Sequence, residues 1–149
     1  MIFCQATAAM TVCLVPVAVT CWKVATAMIV WWAGAGSDLL TGGAGADVFR
    51  FGYPGQFHDH VTDFQRGTDL LVFQTYLVGL GVLPGALDPT YFATNAATAT
   101  HGQFVFYDQS SSAPGELRWD ADGTGQSFGL AIAVLDGVTS LSAADFWLI

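Results

Sequence analysis

The sequence predicts an all-β fold. Two observations carry that prediction: a glycine–aspartate pattern that repeats every nine residues between positions 34 and 52, and three apolar strand patterns joined by turn residues from Gln103 onward. At 149 residues the chain fits one domain, or a small domain with an appendage, and can bury a modest core.

Composition divides the chain. All twelve acidic residues lie at or after Asp38, whereas Cys4, Cys13 and Cys21 lie at or before position 21, and the first 33 residues carry one charge, Lys23. A net charge of −8 and a pI of about 4.2 argue against a nucleic-acid partner, which needs clustered Lys and Arg, and suit cations instead. From Gly34 onward there is no cysteine, as suits an extracellular protein that needs no disulfides.

Taken in order, residues 2–32 are apolar enough to raise a signal peptide or membrane anchor. No positive charge precedes the run, however, and Pro16 and Lys23 interrupt it. Residues 1–33 are therefore expected to be irregular or spuriously helical, a leader separate from the rest. Next comes Gly34-Ala35-Gly36-Ser37-Asp38-Leu39-Leu40-Thr41, then Gly42-Gly43-Ala44-Gly45-Ala46-Asp47-Val48-Phe49-Arg50. Asp38 and Asp47, Leu40 and Phe49, Gly36 and Gly45, and Gly34 and Gly43 are each nine apart. Glycines permit the left-handed backbone of a tight loop, which turns its carbonyl oxygens toward a cation, and aspartate adds a charged oxygen. The apolar residue two places after each aspartate then points inward from a very short strand.

This repeat resembles the Gly-Gly-x-Gly-x-Asp-x-apolar-x nonapeptide of the RTX, or hemolysin-type, calcium-binding family. The resemblance implies a short parallel β-roll over residues 34–75, in which two nonapeptides make one turn and each calcium ion sits between loops about eighteen residues apart. The segment Phe57 to Phe73, with Asp59-x-x-x-Asp63-Phe64 before a Gly67-x-Asp69 turn, resembles that family's exit from the roll. Leu80 to Phe92 is punctuated by Gly and Pro and Asn95 to Gly102 is small and polar, so a loop with at most one short strand is expected.

Strand patterns follow at Phe104 to Asp108, Glu116 to Asp120 and Phe128 to Leu135, separated by a Ser/Pro/Gly turn and by Asp122-Gly123. Their order resembles the C-terminal segment of serralysin-like RTX proteins, and Asp145-Phe146-Trp147-Leu148-Ile149 resembles the family's type I secretion tail. Residues 76–149 are accordingly expected to form a mainly antiparallel β segment that serves as a secretion target.

The family resemblance also bears on residues 1–33. When each codon is read from the third base of one residue into the first two bases of the next, Met10 into Thr11 and Met28 into Ile29 force aspartate, 27 and 9 residues before Asp38. Val19 into Thr20 allows aspartate at the intermediate place. Phe3 into Cys4 and Cys21 into Trp22 force leucine in phase with Leu40, and Trp32 into Ala33 forces glycine in phase with Gly42. The segment reads as out-of-frame translation of further repeats, which a true apolar leader would not produce.

The candidate calcium ligands are Gly34, Gly36, Asp38, Gly43, Gly45 and Asp47, with Asp59 and Asp63 from the exit segment; Asp69 is read as shaping its turn. The competing reading is a pair of glycine turns with solvated aspartates. Ala33 stands where a first glycine is expected and Gln56 where the next aspartate would fall, so few and weak sites are expected. His58 and His60 could begin a transition-metal site but lack a third ligand. Asp120-Ala121-Asp122-Gly123 departs from a calcium-hand loop, with Arg118 at a ligand position and no distal Glu, and reads as a hairpin turn. No His-Glu-x-x-His, Gly-x-Ser-x-Gly or phosphate-loop motif occurs, so no catalytic site is expected.

The resemblance thus implies a secreted, non-catalytic calcium-binding segment, exported without a cleaved signal peptide, whose partners are calcium ions and the type I secretion machinery. Membrane contact is expected only if residues 2–32 are a genuine leader, which would make the chain an anchored structural protein. A further alternative is the C-terminal fragment of a secreted hydrolase, a serralysin-like protease or a lipase, whose catalytic residues lie elsewhere.

Overall fold

A computed structural model describes residues 3–6, 10–17, 28–52, 58–77, 82–108, 113–127 and 129–149. Thirteen strands occur among them. In chain order these are β1 (Phe3–Ala6), β2 (Met10–Val17), β3 (Met28–Ala35), β4 (Leu39–Leu40), β5 (Val48–Phe51), β6 (Asp59–Val61), β7 (Leu70–Phe73), β8 (Gly85–Ala86), β9 (Phe92–Thr94), β10 (Gln103–Tyr107), β11 (Gly115–Asp120), β12 (Leu130–Leu135) and β13 (Phe146–Leu148). The fold is all-β with mixed parallel and antiparallel sheets, as the strand patterns predict.

Two sheets share the strands. One runs β1-β2-β3-β5-β7-β13-β8 and the other β4-β6-β12-β11-β10-β9. From β3 to β7 the chain alternates between them at every step, so β3, β5 and β7 stack in parallel in one sheet while β4 and β6 stack in parallel in the other. Val30 stands opposite Val48 and Val48 opposite Leu70, which puts the inward residues in columns. Trp31, Phe49, Leu71 and Phe146 form one column, Ala33, Phe51, Phe73 and Leu148 the next, and all are buried. Leu40, Val61 and Leu135 line the facing sheet.

Aromatic contacts join the sheets. The Phe73 ring lies 4.6 Å from Phe104 and Phe104 lies 5.2 Å from Phe146, at tilted angles favoured by aromatic pairs. Full burial of side chains of this size contributes about 1.5–3 kcal/mol each, which is what holds strands as short as β4 and β6 in place.

The expectation that residues 1–33 are irregular or helical is corrected where the segment is described: Phe3–Ala6, Met10–Val17 and Met28–Ala35 are strands, β1 antiparallel to β2 and β2 parallel to β3, while residues 1–2, 7–9 and 18–27 lie outside the described residues. The physical reason is composition. Val12, Val15, Val17, Ile29, Val30, Trp31 and Trp32 favour extended backbone, and the open side of β5 offers unpaired N–H and C=O groups for β3 to bond.

The three predicted C-terminal strands pair antiparallel as β10, β11 and β12, with a bulge between Leu117 and Arg118, although the third begins at Leu130 and Phe128 lies outside the described residues. The described part of the Leu80 to Phe92 connection, residues 82–92, holds more order than expected, with β8, the start of β9 and a 3-10 turn at Pro89–Tyr91 capped by Asp88. The terminal strand β13 enters the first sheet between β7 and β8, parallel to β7. Among the described residues no helix is long and apolar enough to cross a membrane.

Candidate cation site

The loops that join β3 to β4 and β4 to β5 turn on glycines with positive φ: Gly36 at 108°, Gly43 at 88° and Gly45 at 137°. Side chains are rarely tolerated there. Gly34 differs from the other candidates because it lies within β3, before the turn. A Cβ on Gly42 would come within 2.6 Å of Asp47 Oδ2, so this glycine is required by a close approach and not by its backbone angle.

Strand register then brings the aspartates together in pairs. Leu39 stands opposite His60 and Val48 opposite Leu70, so Asp38 neighbours Asp59 on one edge of the stack and Asp47 neighbours Asp69 on the other. In each pair the later carboxylate accepts the backbone N–H of the earlier residue, Asp38 N to Asp59 Oδ1 at 2.9 Å and Asp47 N to Asp69 Oδ1 at 2.9 Å. Asp47 Oδ1 continues the ladder by accepting Ile29 N–H at 2.7 Å. Asp63, on the same edge as Asp47, accepts N–H bonds from Gly42 at 2.8 Å and Gly43 at 2.7 Å.

These carboxylates are buried. Asp38, Asp47, Asp59 and Asp69 are each at most 2% exposed, which deprives them of the water that would normally stabilise their charge. Burial pushes the Asp59 carboxyl up to about 7, against the lowering effect of the Asp38 N–H, and the charge of Asp38 adds to the rise. Burial likewise raises Asp47, partly offset by the Ile29 N–H, and the charges of Asp69 and Asp63 raise it further. Asp69 is raised by burial and by Asp63, against hydrogen bonds from Asp47 and Gln65. Among the described residues two buried side-chain oxygens, Asp47 Oδ2 and Asp59 Oδ2, have no hydrogen-bond partner. An unsatisfied buried acceptor costs about 1–3 kcal/mol, and more when charged.

No protein-family model matches the chain, and no curated protein is significantly similar to it.

Among the described residues no group of three or more His, Cys, Asp or Glu side chains is gathered as a metal cluster. A cation at either edge would therefore take most of its ligands from main-chain carbonyls of the glycine loops, with one or two carboxylates added. Such an oxygen-only, carbonyl-rich set suits calcium and not zinc or nickel. The residues fit the ion in a second respect, since Asp47 Oδ2 and Asp59 Oδ2 are acceptors that no group among the described residues satisfies.

The remaining candidates separate clearly. His60 Nε2 lies 2.7 Å from Asp136 Oδ1 and His58 is exposed with a φ of 73°, so the two histidines share no ligand set. Asp122 accepts the Ser127 N–H at 3.2 Å and donates its own N–H to Asp120 at 3.3 Å, which closes the expected hairpin turn between β11 and β12. Gln56 lies outside the described residues. Asp69 does shape its turn, accepting the Gln65 N–H at 2.8 Å, but it is also the register mate of Asp47. Its separation of 22 residues, against 18 between Ile29 and Asp47, takes it out of the nine-residue phase and conceals it in the sequence. Asp59 follows Asp38 by 21 for the same reason. A search for aspartates followed by an apolar strand, tolerant of a few inserted residues, would have added Asp69 to Asp59, which the segment Phe57 to Phe73 already offers as a candidate.

Proposed function

We propose that residues 34–75 are the end of an RTX-type calcium-binding roll and that residues 76–149 are a β-rich, non-catalytic segment carrying a type I secretion signal. The observation that carries this reading is the pair of buried carboxylate oxygens, Asp47 Oδ2 and Asp59 Oδ2, that find no partner among the described residues beside the stacked glycine loops. Asp47 and Asp63 with the carbonyls of Gly43 and Gly45 would hold an ion on one edge, and Asp38 and Asp59 with Gly36 on the other. Gly34, inside β3, contributes to the strand that precedes the loop.

The function follows from the electrostatics. Where calcium is scarce, buried like charges and glycine-rich loops oppose folding, and an unfolded chain can be threaded outward. Outside the cell, calcium neutralises the carboxylates; extracellular calcium modules bind at about 10⁻⁴ to 10⁻³ M, which couples folding to the exterior. Ile29 occupies the register position of Asp47 one turn earlier, the place where the shifted codon reading restores an aspartate, so the upstream turns of the roll are proposed to lie in the DNA out of frame. Genomic DNA spanning residues 1–33 tests that part directly, and absence of a Gly/Asp pattern in the shifted frame would end it.

Calcium titration of the full chain, followed by calorimetry and circular dichroism, tests the rest. A calcium-dependent gain of β structure is expected, reduced by Asp47→Asn and Asp59→Asn. Identical spectra in calcium and chelator, with no heat of binding, would overturn the reading.

A further inference from the structure

The turn Gln65–Asp69 faces two ways. Toward the glycine loop, Asp69 Oδ1 accepts the Asp47 N–H at 2.9 Å, Gln65 Nε2 donates to the Gly43 carbonyl at 3.1 Å, and Leu70 N donates to the Asp47 carbonyl at 2.8 Å. Toward the chain end, Arg66 donates to Ser140 Oγ at 2.7 Å and, through Nε, to Asp145 Oδ2 at 3.4 Å, while Gly67 N donates to Asp145 Oδ1 at 3.3 Å. The turn is stiff. Its ends are tied by Asp69 Oδ2 to Gln65 N at 2.8 Å and by Asp69 N to the Gln65 carbonyl at 2.8 Å, so residues 66 and 67 cannot shift independently of 65 and 69.

Asp145, the residue this turn grips, is buried and also accepts the backbone N–H and hydroxyl of Ser142. It sits immediately before β13. That strand buries Phe146 and Leu148 but is bordered on one side by only the two residues of β8, so few bonds beyond those to β7 retain it.

We infer that the Gln65–Asp69 turn is a latch through which cation binding at the Gly43–Asp47 loop controls docking of the C-terminal strand Phe146–Leu148. The inference rests on the calcium reading above. Without an ion, the carboxylates of Asp47, Asp63 and Asp69 repel one another across the seam between loop and turn. A divalent cation bound at the Gly43–Asp47 loop offsets that repulsion and seats the turn, which places Arg66 and Gly67 to receive Asp145. The chain end is then presented as an extended peptide only in the ion-free state, and it is folded away once the loop is occupied. A partner that reads the tail would be released by the same ion that completes the fold.

Hydrogen exchange of the full chain, read by mass spectrometry on the peptide covering residues 141–149, tests the latch. Calcium is expected to slow exchange there by about tenfold, within the usual range for coupled sites. Arg66→Ala should remove that slowing while calorimetric calcium binding persists, and Arg66→Lys should restore part of it. Protection of residues 103–120 serves as the folding control. Should Arg66→Ala lose that protection too, Ser140→Ala, which removes only the hydroxyl end of the clasp, is expected to weaken the calcium effect on the tail. Calcium binding with no change in tail exchange, or an undiminished effect in both variants, would overturn the latch alone; absence of calcium binding would overturn the calcium reading and the latch with it.

Discussion

Asp59 concentrates the conflict between folding and charge in one side chain. Its carboxyl has no exposed surface, bonds the Asp38 N–H through one oxygen and leaves the other without a partner among the described residues. Because burial raises it from 3.8 to about 7, the folded chain holds this proton where the unfolded chain has released it. Between those two values the folded state binds more protons, so stability falls as pH rises through that window, by roughly 4 kcal/mol in all. Asp47 and Asp69 are raised as well and act in the same direction. Urea unfolding in chelator is expected to show the chain more stable near pH 5 than near pH 7.5, with the slope flattened by Asp59→Asn and by calcium. A stability that rises with pH in chelator would contradict this. At this scale the sequence was informative about identity and silent about burial: Asp38 and Asp47 stand out by their spacing, but nothing in the spacing says that their carboxylates face inward.

Elements differ in how legibly they are written. Strands β10 to β12 are set by short apolar runs and by turn chemistry, both local signals, and the structure returns them within two residues. Strand β8, two residues long, exists because β13 pairs with it, and no local pattern announces so short an element, whereas the nine-residue repeat marks β4 at Leu40. The loop before β10 depends on one buried amide. Gln103 accepts N–H bonds from Thr98 at 2.7 Å and Ala99 at 2.9 Å and donates to the Thr90 carbonyl at 2.8 Å. Gln103→Leu keeps the volume but leaves those groups without partners, and is expected to destabilise the chain by roughly 2–3 kcal/mol. Thermal unfolding measures it. An unchanged midpoint would show that water replaces the amide.

At the scale of the whole molecule, one core draws residues from both sheets, from Ile29 to Leu148, so an ion that binds only the folded chain stabilises all of it. With a dissociation constant in the range of extracellular calcium modules, about 10 mM calcium should add roughly 1.4–2.7 kcal/mol per site. The midpoint of thermal unfolding should rise accordingly, and more than it does in sodium chloride of matched ionic strength, which screens the net charge of −8 without entering a site. Equal shifts in the two salts would reduce the effect to screening.

The sequence by itself determined the all-β class, the left-handed glycine turns and the inward apolar residues Leu40 and Phe49, because each depends on local backbone preference or on a short period. Tertiary structure alone decided that Asp59 and Asp69 stack on Asp38 and Asp47, that β3 joins β5, and that the last strand lies against β7 under the grip of Arg66 and Gly67 on Asp145. The physical reason is distance along the chain. Register across 21 or 22 residues, and a clasp across 78 or 79, are set by which apolar surfaces close on one another, and no local run of residues encodes that.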